Sequence, residues 1–202
     1  MTVNLSHLSA NDSVPSLKRS VIIGGIGFCL ASMCVFATVA FAERWMYRQL
    51  GFINAYLVWT ALFIILGGGV LSLLVRKSFG LIKFYLIFAL AFFGYAVGWT
   101  GAYFSMRGSK VGEWVASFVG SILMGLVFSV GFKAIRLTLG FSALLFVSNS
   151  LGYFVGSMLN DLVGGKIGMM LWGTIYGLCL GAGLGAVIYL AQTQMTNGKD
   201  SK

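Results

Sequence analysis

The chain offers few residues with which to do chemistry. Its one histidine is His7, near the N-terminus. A serine hydrolase needs a histidine within hydrogen-bonding reach of its nucleophile, and His7 lies outside every apolar segment. The five acids are Asp12, Glu43, Glu113, Asp161 and Asp200, spread through polar stretches. A metal centre needs several His, Cys or carboxylate ligands to converge. No such spacing is present, so neither a metal nor a cofactor is expected. Cys29 and Cys34 stand five apart, which on a helix turns them more than about 100° from each other. With Cys179 they are read as buried thiols. Gly24, Gly25 and Gly27 sit inside an apolar run rather than between a strand and a helix, so they are packing residues and not a phosphate loop. The expectation is a protein that is not an enzyme.

Two other groupings are better candidates. Gly67, Gly68 and Gly69 fall near the middle of an apolar segment, where each glycine costs ~1 kcal/mol relative to alanine in a helix. Ser148, Asn149 and Ser150 fall near the middle of another. Asn149, at mid-segment, is the most polar side chain in the hydrocarbon region, and its amide needs a partner or water there. Interrupted helices at corresponding places in two halves of a carrier mark a substrate site. These six residues are therefore the candidate substrate or ion contacts. The plainer reading of Asn149 is a hydrogen bond between helices, worth ~0.6–2 kcal/mol.

The elements that must position them are unusual for a soluble protein. Of 202 residues, 58% are hydrophobic and 9% charged, against ~25% charged in an average soluble domain. The mean hydropathy is +0.92. Disorder and a disulfide scaffold are excluded by the same composition. The fold class expected is all-α, a polytopic transmembrane bundle. Six apolar segments are long enough to cross a membrane, at 20–42, 53–75, 84–106, 114–132, 137–159 and 167–191. None contains an Asp, Glu, Lys or Arg. Residues 1–19 and 192–202 read as tails. Strands of a barrel would be shorter and would alternate in polarity.

The net charge is +9, but its basic residues are scattered between the apolar segments. That dispersal argues against nucleic acid and for loops at an anionic membrane face. Lys18, Arg19, Arg76, Lys77, Lys83, Lys133, Arg136, Lys199 and Lys202 fall on one side, and Arg44, Arg48, Arg107, Lys110 and Lys166 on the other. The richer side is expected to be cytoplasmic and to hold both termini. A bacterial inner membrane suits the short loops. Lys18 and Arg19 followed by Ala40-Phe41-Ala42 resemble a cleavable signal, but the run between them exceeds the ~7–15 residues of a signal core. Trp45, Tyr47, Trp99, Tyr103, Trp114 and Trp172 lie near segment ends and are expected at the headgroup level. Glu43 with Arg44 and Glu113 with Lys110 are expected surface pairs, and Asp161 is expected to cap its segment end or pair with Lys166.

Glycine organises the packing. Gly173, Gly177, Gly181 and Gly185 recur every four residues and form one stripe of the sixth segment. Ser117, Ser121, Gly125 and Ser129 form a similar stripe on the fourth. Small residues let backbones approach closely, which drives helix association where no hydrophobic force acts between helices. The glycine stripe is expected to meet the first or fourth segment within the chain, with self-association the second reading. Gly94–Gly98 (GYAVG) recurs as Gly152–Gly156 (GYFVG), a faint internal repeat. The function expected is a non-enzymatic subunit or assembly partner of a membrane complex, with lipids and other membrane helices as partners. The alternative is an uncoupled small-solute or lipid carrier or channel with a site near Gly67–Gly69 and Asn149.

Overall fold

The computed structural model describes residues 14–200, with side chains described for 14–196. The described residues form α-helices and two short 3-10 turns, without strands. The helices are α1 (Leu17–Ser72), α2 (Leu81–Ser105), α3 (Lys110–Gly131), α4 (Thr138–Val163) and α5 (Gly165–Asp200). All five are long and apolar enough to cross a membrane. Six were expected. The difference lies in α1, whose 56 residues contain both of the first two expected segments.

The expected loop at 43–52 is helical except at Gly51. Glu43, Arg44, Arg48 and Gln49 are polar but are adequate helix formers, so they extend the helix rather than end it. Gly51 breaks it, with φ 76° and ψ 170°, a region open essentially to glycine alone. The two limbs then double back on each other. Phe28 stacks on Phe63 with ring centroids 5.8 Å apart, and Tyr47 meets Trp59 at 5.7 Å. Val35, Met46, Ala55 and Trp59 form a small core between the limbs.

Local signals set the other ends. Ser16 caps α1 by accepting from the Arg19 N–H at 3.3 Å, and Ser109 caps α3 by accepting from Gly112 N–H at 3.0 Å. Glu113 in the first turn of α3 suits the positive helix end. Gly164 closes α4 with φ 70°. Two regions expected as tails are helical instead. Leu17, Lys18 and Arg19 begin α1, and α5 continues through residues 192–200. The continuation of α5 has a cause. Gln192 is 2% exposed, accepts from the Arg76 N–H at 2.8 Å and donates to the Leu74 carbonyl at 2.9 Å. Its amide satisfies groups left open where α1 ends. Residues 1–13 and 201–202 of the expected tails, with His7 and Asp12, lie outside the described residues.

The bundle is apolar inside and outside. Phe84, Phe88, Phe128, Phe132, Leu180 and Leu184 are fully buried in one core, while Ile82, Leu86, Leu90, Leu139 and Leu162 are largely exposed. Such an outer surface is stable in hydrocarbon, where exposed side chains need no water. The chain is a helical, membrane-embedded protein.

The α5 stripe meets the first limb of α1, as one of its two expected partners. A side-chain carbon added at Gly181 would reach 2.5 Å from Phe28 Cβ and collide with the Gly24 carbonyl. One at Gly177 would reach 2.7 Å from Cys29 Cα. Gly185 lies against Ser20 and Gly173 against Phe36. Ser32 Oγ donates to the Gly173 carbonyl at 2.7 Å in the same seam. The α3 stripe faces α4: Gly125 lies against Ser142, Ser117 meets Ser150, and Ser129 accepts from Thr138. The second glycine of each half of the faint repeat packs on the helix that follows it, whereas Gly94 is open and its counterpart Gly152 is packed. Gly98 lies on α3 beside Leu123 and Gly120, and Gly152 and Gly156 lie on α5 beside Tyr176 and Trp172.

A side-chain carbon at Gly51 would have nothing within 4 Å. The cost of Gly51→Ala is therefore backbone strain alone, ~1–3 kcal/mol. Gly94 is also open, but helical, and Gly94→Ala should gain up to ~1 kcal/mol from helix propensity. Thermal unfolding in detergent should show a lower midpoint for the first variant and an equal or higher one for the second.

Candidate functional site

Asn149 is fully buried near the middle of α4. Burial of an amide is tolerable only when its oxygen and nitrogen are both partnered, and here they are. The Tyr95 hydroxyl of α2 donates to Asn149 Oδ1 at 2.7 Å. Asn149 Nδ2 donates to Ser117 Oγ of α3 at 2.7 Å, and Ser117 and Ser150 hydroxyls lie 2.7 Å apart. The Tyr176 hydroxyl of α5 reaches the Tyr95 hydroxyl at 3.4 Å. Four helices are thus joined through one neutral polar cluster.

The expected site residues are divided by the fold. Asn149 and Ser150 belong to this cluster. Ser117, singled out for packing, belongs to it as well. Ser148 does not: its hydroxyl turns back to the Leu144 carbonyl at 2.8 Å, and it lies against Gly183. Gly67, Gly68 and Gly69 stand elsewhere, in unbroken helix. Carbons added at Gly67 and Gly68 would reach 2.5 Å from Phe28 and 2.8 Å from Tyr85. Phe88, also beside them, is seven residues before Tyr95 on α2, about 10 Å along the axis. The triple glycine receives aromatic rings and shares no site with Asn149. Ser121 and Ser142 are buried beside the α3–α4 seam without a hydrogen-bond partner.

Above the cluster lies a cavity of about 430 Å³. It runs from Tyr47, Tyr56 and Phe104, near the Gly51 turn, down to Val35, Phe63, Tyr95 and Tyr176. Tyr95 and Tyr176 therefore belong both to its floor and to the Asn149 cluster. Thirteen of its twenty lining residues are aromatic, and Glu43 is the one charged residue among them. Its volume falls within the ~300–1,000 Å³ of small-molecule sites.

Residue types alone did not mark this wall. Tyr47, Trp99, Tyr103 and Trp172, expected at the headgroup level, line the cavity. Sequence position gives depth along a helix and not the face. Trp45 and Trp114 do face outward, at 58% and 50% exposure. The inward rings brace one another: Trp99 stacks on Tyr103 at 4.9 Å, and Tyr153 meets Trp172 edge-on at 5.4 Å. The one sequence signal close to the site was the repeat, because Tyr95 and Tyr153 are its two tyrosines and both line the cavity.

Glu43 also differs from its expected pairing. Adjacent residues on a helix do not face each other, so Arg44 is no partner for it. The Tyr47 side chain lies near Glu43 and Tyr56. Glu113 does pair with Lys110 at 3.4 Å, as expected. Lys166 lies over the Phe41 ring at 4.6 Å rather than on Asp161. Among the described residues no group of three or more His, Cys, Asp or Glu side chains converges.

No known protein family, curated protein or solved structure matches this chain. The fold and the site define it only as a helical membrane protein with an aromatic-lined cavity.

Replacing Asn149 by alanine would take away the acceptor of the Tyr95 O–H and remove one partner of Ser117. A buried group left unpaired costs ~1–3 kcal/mol. Tyr95→Phe should cost less, because Asn149 keeps its bond to Ser117. In a double-mutant cycle read by thermal unfolding, the two substitutions should be less than additive.

Proposed function

We propose that this protein is a non-enzymatic membrane carrier for a small organic solute, which enters the aromatic cavity from the Gly51 end. The observation that carries this reading is the cavity's floor. Tyr95 and Tyr176 line it and also belong to the Asn149 cluster. Polar groups deep in a membrane are costly and mark substrate paths. Here the polar path is neutral, which supports uncoupled movement rather than proton coupling through a buried carboxylate.

In this reading each limb of α1 makes its own crossing, so the chain passes six times. The termini then share one face, and the distribution of Lys and Arg makes that face cytoplasmic. A bacterial inner membrane remains the location that fits best.

A second reading, as an assembly partner in a membrane complex, is favoured by a different feature. An apolar groove of about 430 Å³ runs outside α4 and α5, lined by Leu144, Val147, Leu151, Leu178, Ala182 and Gly183. Small residues in such a groove suit the approach of another helix.

Flux separates the two readings. The purified chain in liposomes should move at least one solute from a panel of small amines, alcohols and aromatic acids above the rate of empty liposomes. Ala96 lines the cavity and is not one of the hydrogen-bonded residues of the Asn149 cluster, so Ala96→Trp should fill the space and return flux to background while folded yield is kept. Background flux for every solute, with stoichiometric membrane partners recovered in mild detergent, would favour the assembly role.

A further inference from the structure

Resting on the carrier reading, we infer that the cavity takes an organic monocation, a methylated or aromatic ammonium, held by aromatic faces and by Glu43. Three observations converge. The first is composition: an aromatic face carries negative potential, and a cage of such faces is the recurring way to bind quaternary ammonium. Cation–π contacts are worth ~0.5–1 kcal/mol when exposed and ~2 when water is excluded.

The second is orientation. Trp59, Trp99 and Trp172 all line the cavity, yet their indole N–H groups are buried without a hydrogen-bond partner. Their polar edges are hidden in the wall, so each indole offers the cavity carbon surface. The indole N–H groups are thus withheld from a ligand's acceptors, leaving Tyr and Thr hydroxyls as the side-chain donors of the wall, whereas a cation needs none.

The third is charge. Glu43 lies toward the Gly51 end of the wall, and no Lys or Arg lines the cavity. Among the described residues none forms an ion pair with Glu43; the Tyr47 side chain is near it. A carboxylate without a basic partner, set among aromatic rings, attracts a cation and repels an anion. Hydrated metal ions fit poorly, because a mostly aromatic wall cannot replace their oxygen ligands. A weakly hydrated organic cation loses less on entry.

The ammonium group has two sources, a water-soluble amine and the headgroup of a choline lipid, and the experiment includes an arm for each. The full chain in nonionic detergent is titrated with phenyltrimethylammonium and with its uncharged isostere tert-butylbenzene, read by tryptophan fluorescence. The cation is expected to bind at least tenfold more tightly. Glu43→Gln should weaken the cation at least fivefold and leave the neutral isostere unchanged, with an unaltered gel-filtration profile. Trp99→Leu should weaken the cation further than the isostere. Displacement by dihexanoylphosphatidylcholine but not by choline assigns a lipid headgroup, and displacement by choline assigns a soluble amine.

Equal affinity for the two probes, or a cation affinity that ignores Glu43→Gln, overturns the cationic ligand and leaves the carrier reading intact. If neither probe binds, the cationic ligand is likewise overturned. The carrier reading itself falls only if the solute panel shows no flux.

Discussion

The structure depends on backbone-to-backbone contact between the first limb of α1 and α5. In hydrocarbon, lipid tails solvate apolar side chains as well as other helices do, so burying leucine against leucine gains little. Association must come from dispersion at close range and from polar bonds between helices. The Gly24–Gly181 contact, the Gly177 approach to Cys29, and the Ser32 bond to Gly173 supply both. The seam occupies Ser20 to Phe36 on one helix and Gly173 to Gly185 on the other.

The extent of that seam also explains the cavity. Beyond Phe36 and Gly173, toward the Gly51 end, the small residues stop, and their places are taken by Val39, Glu43 and Tyr47 on α1 and by Met169 and Trp172 on α5. Bulky side chains cannot let two backbones touch. The helices are tightly joined where glycine runs and open where aromatics begin. The second limb of α1, α2 and α4 supply the rest of the wall. Below it, the Asn149 cluster ties α2, α3, α4 and α5 together. Closure at one end and opening at the other follow from a single change in side-chain size.

Much of this was legible in the residues. Apolar length gave the helices, and four-residue spacing gave the α5 stripe and one of its two possible partners. Asn149 was recognisable because an amide in an apolar run must have a partner. Other parts were not legible. Polar residues between Ala42 and Gly51 suggested a loop, yet their helix propensity let α1 run on to a single glycine. Gly67–Gly69 suggested a break, but three rings fill the space that their missing side chains leave. The aromatic wall was hidden because Trp and Tyr near segment ends serve equally as membrane anchors and as lining. Only packing decides which way a ring turns, and packing is a property of several helices at once.

The most direct test is a size series at Gly181, in which alanine, valine and leucine are introduced in turn and unfolding is followed in detergent and in bilayers. Because the Gly24 carbonyl and Phe28 Cβ occupy the space a side chain would need, stability should fall stepwise with each added carbon, and leucine should leave little folded protein. Equal stability across the series would mean that the two backbones do not meet, and the account of both the seam and the cavity above it would be wrong.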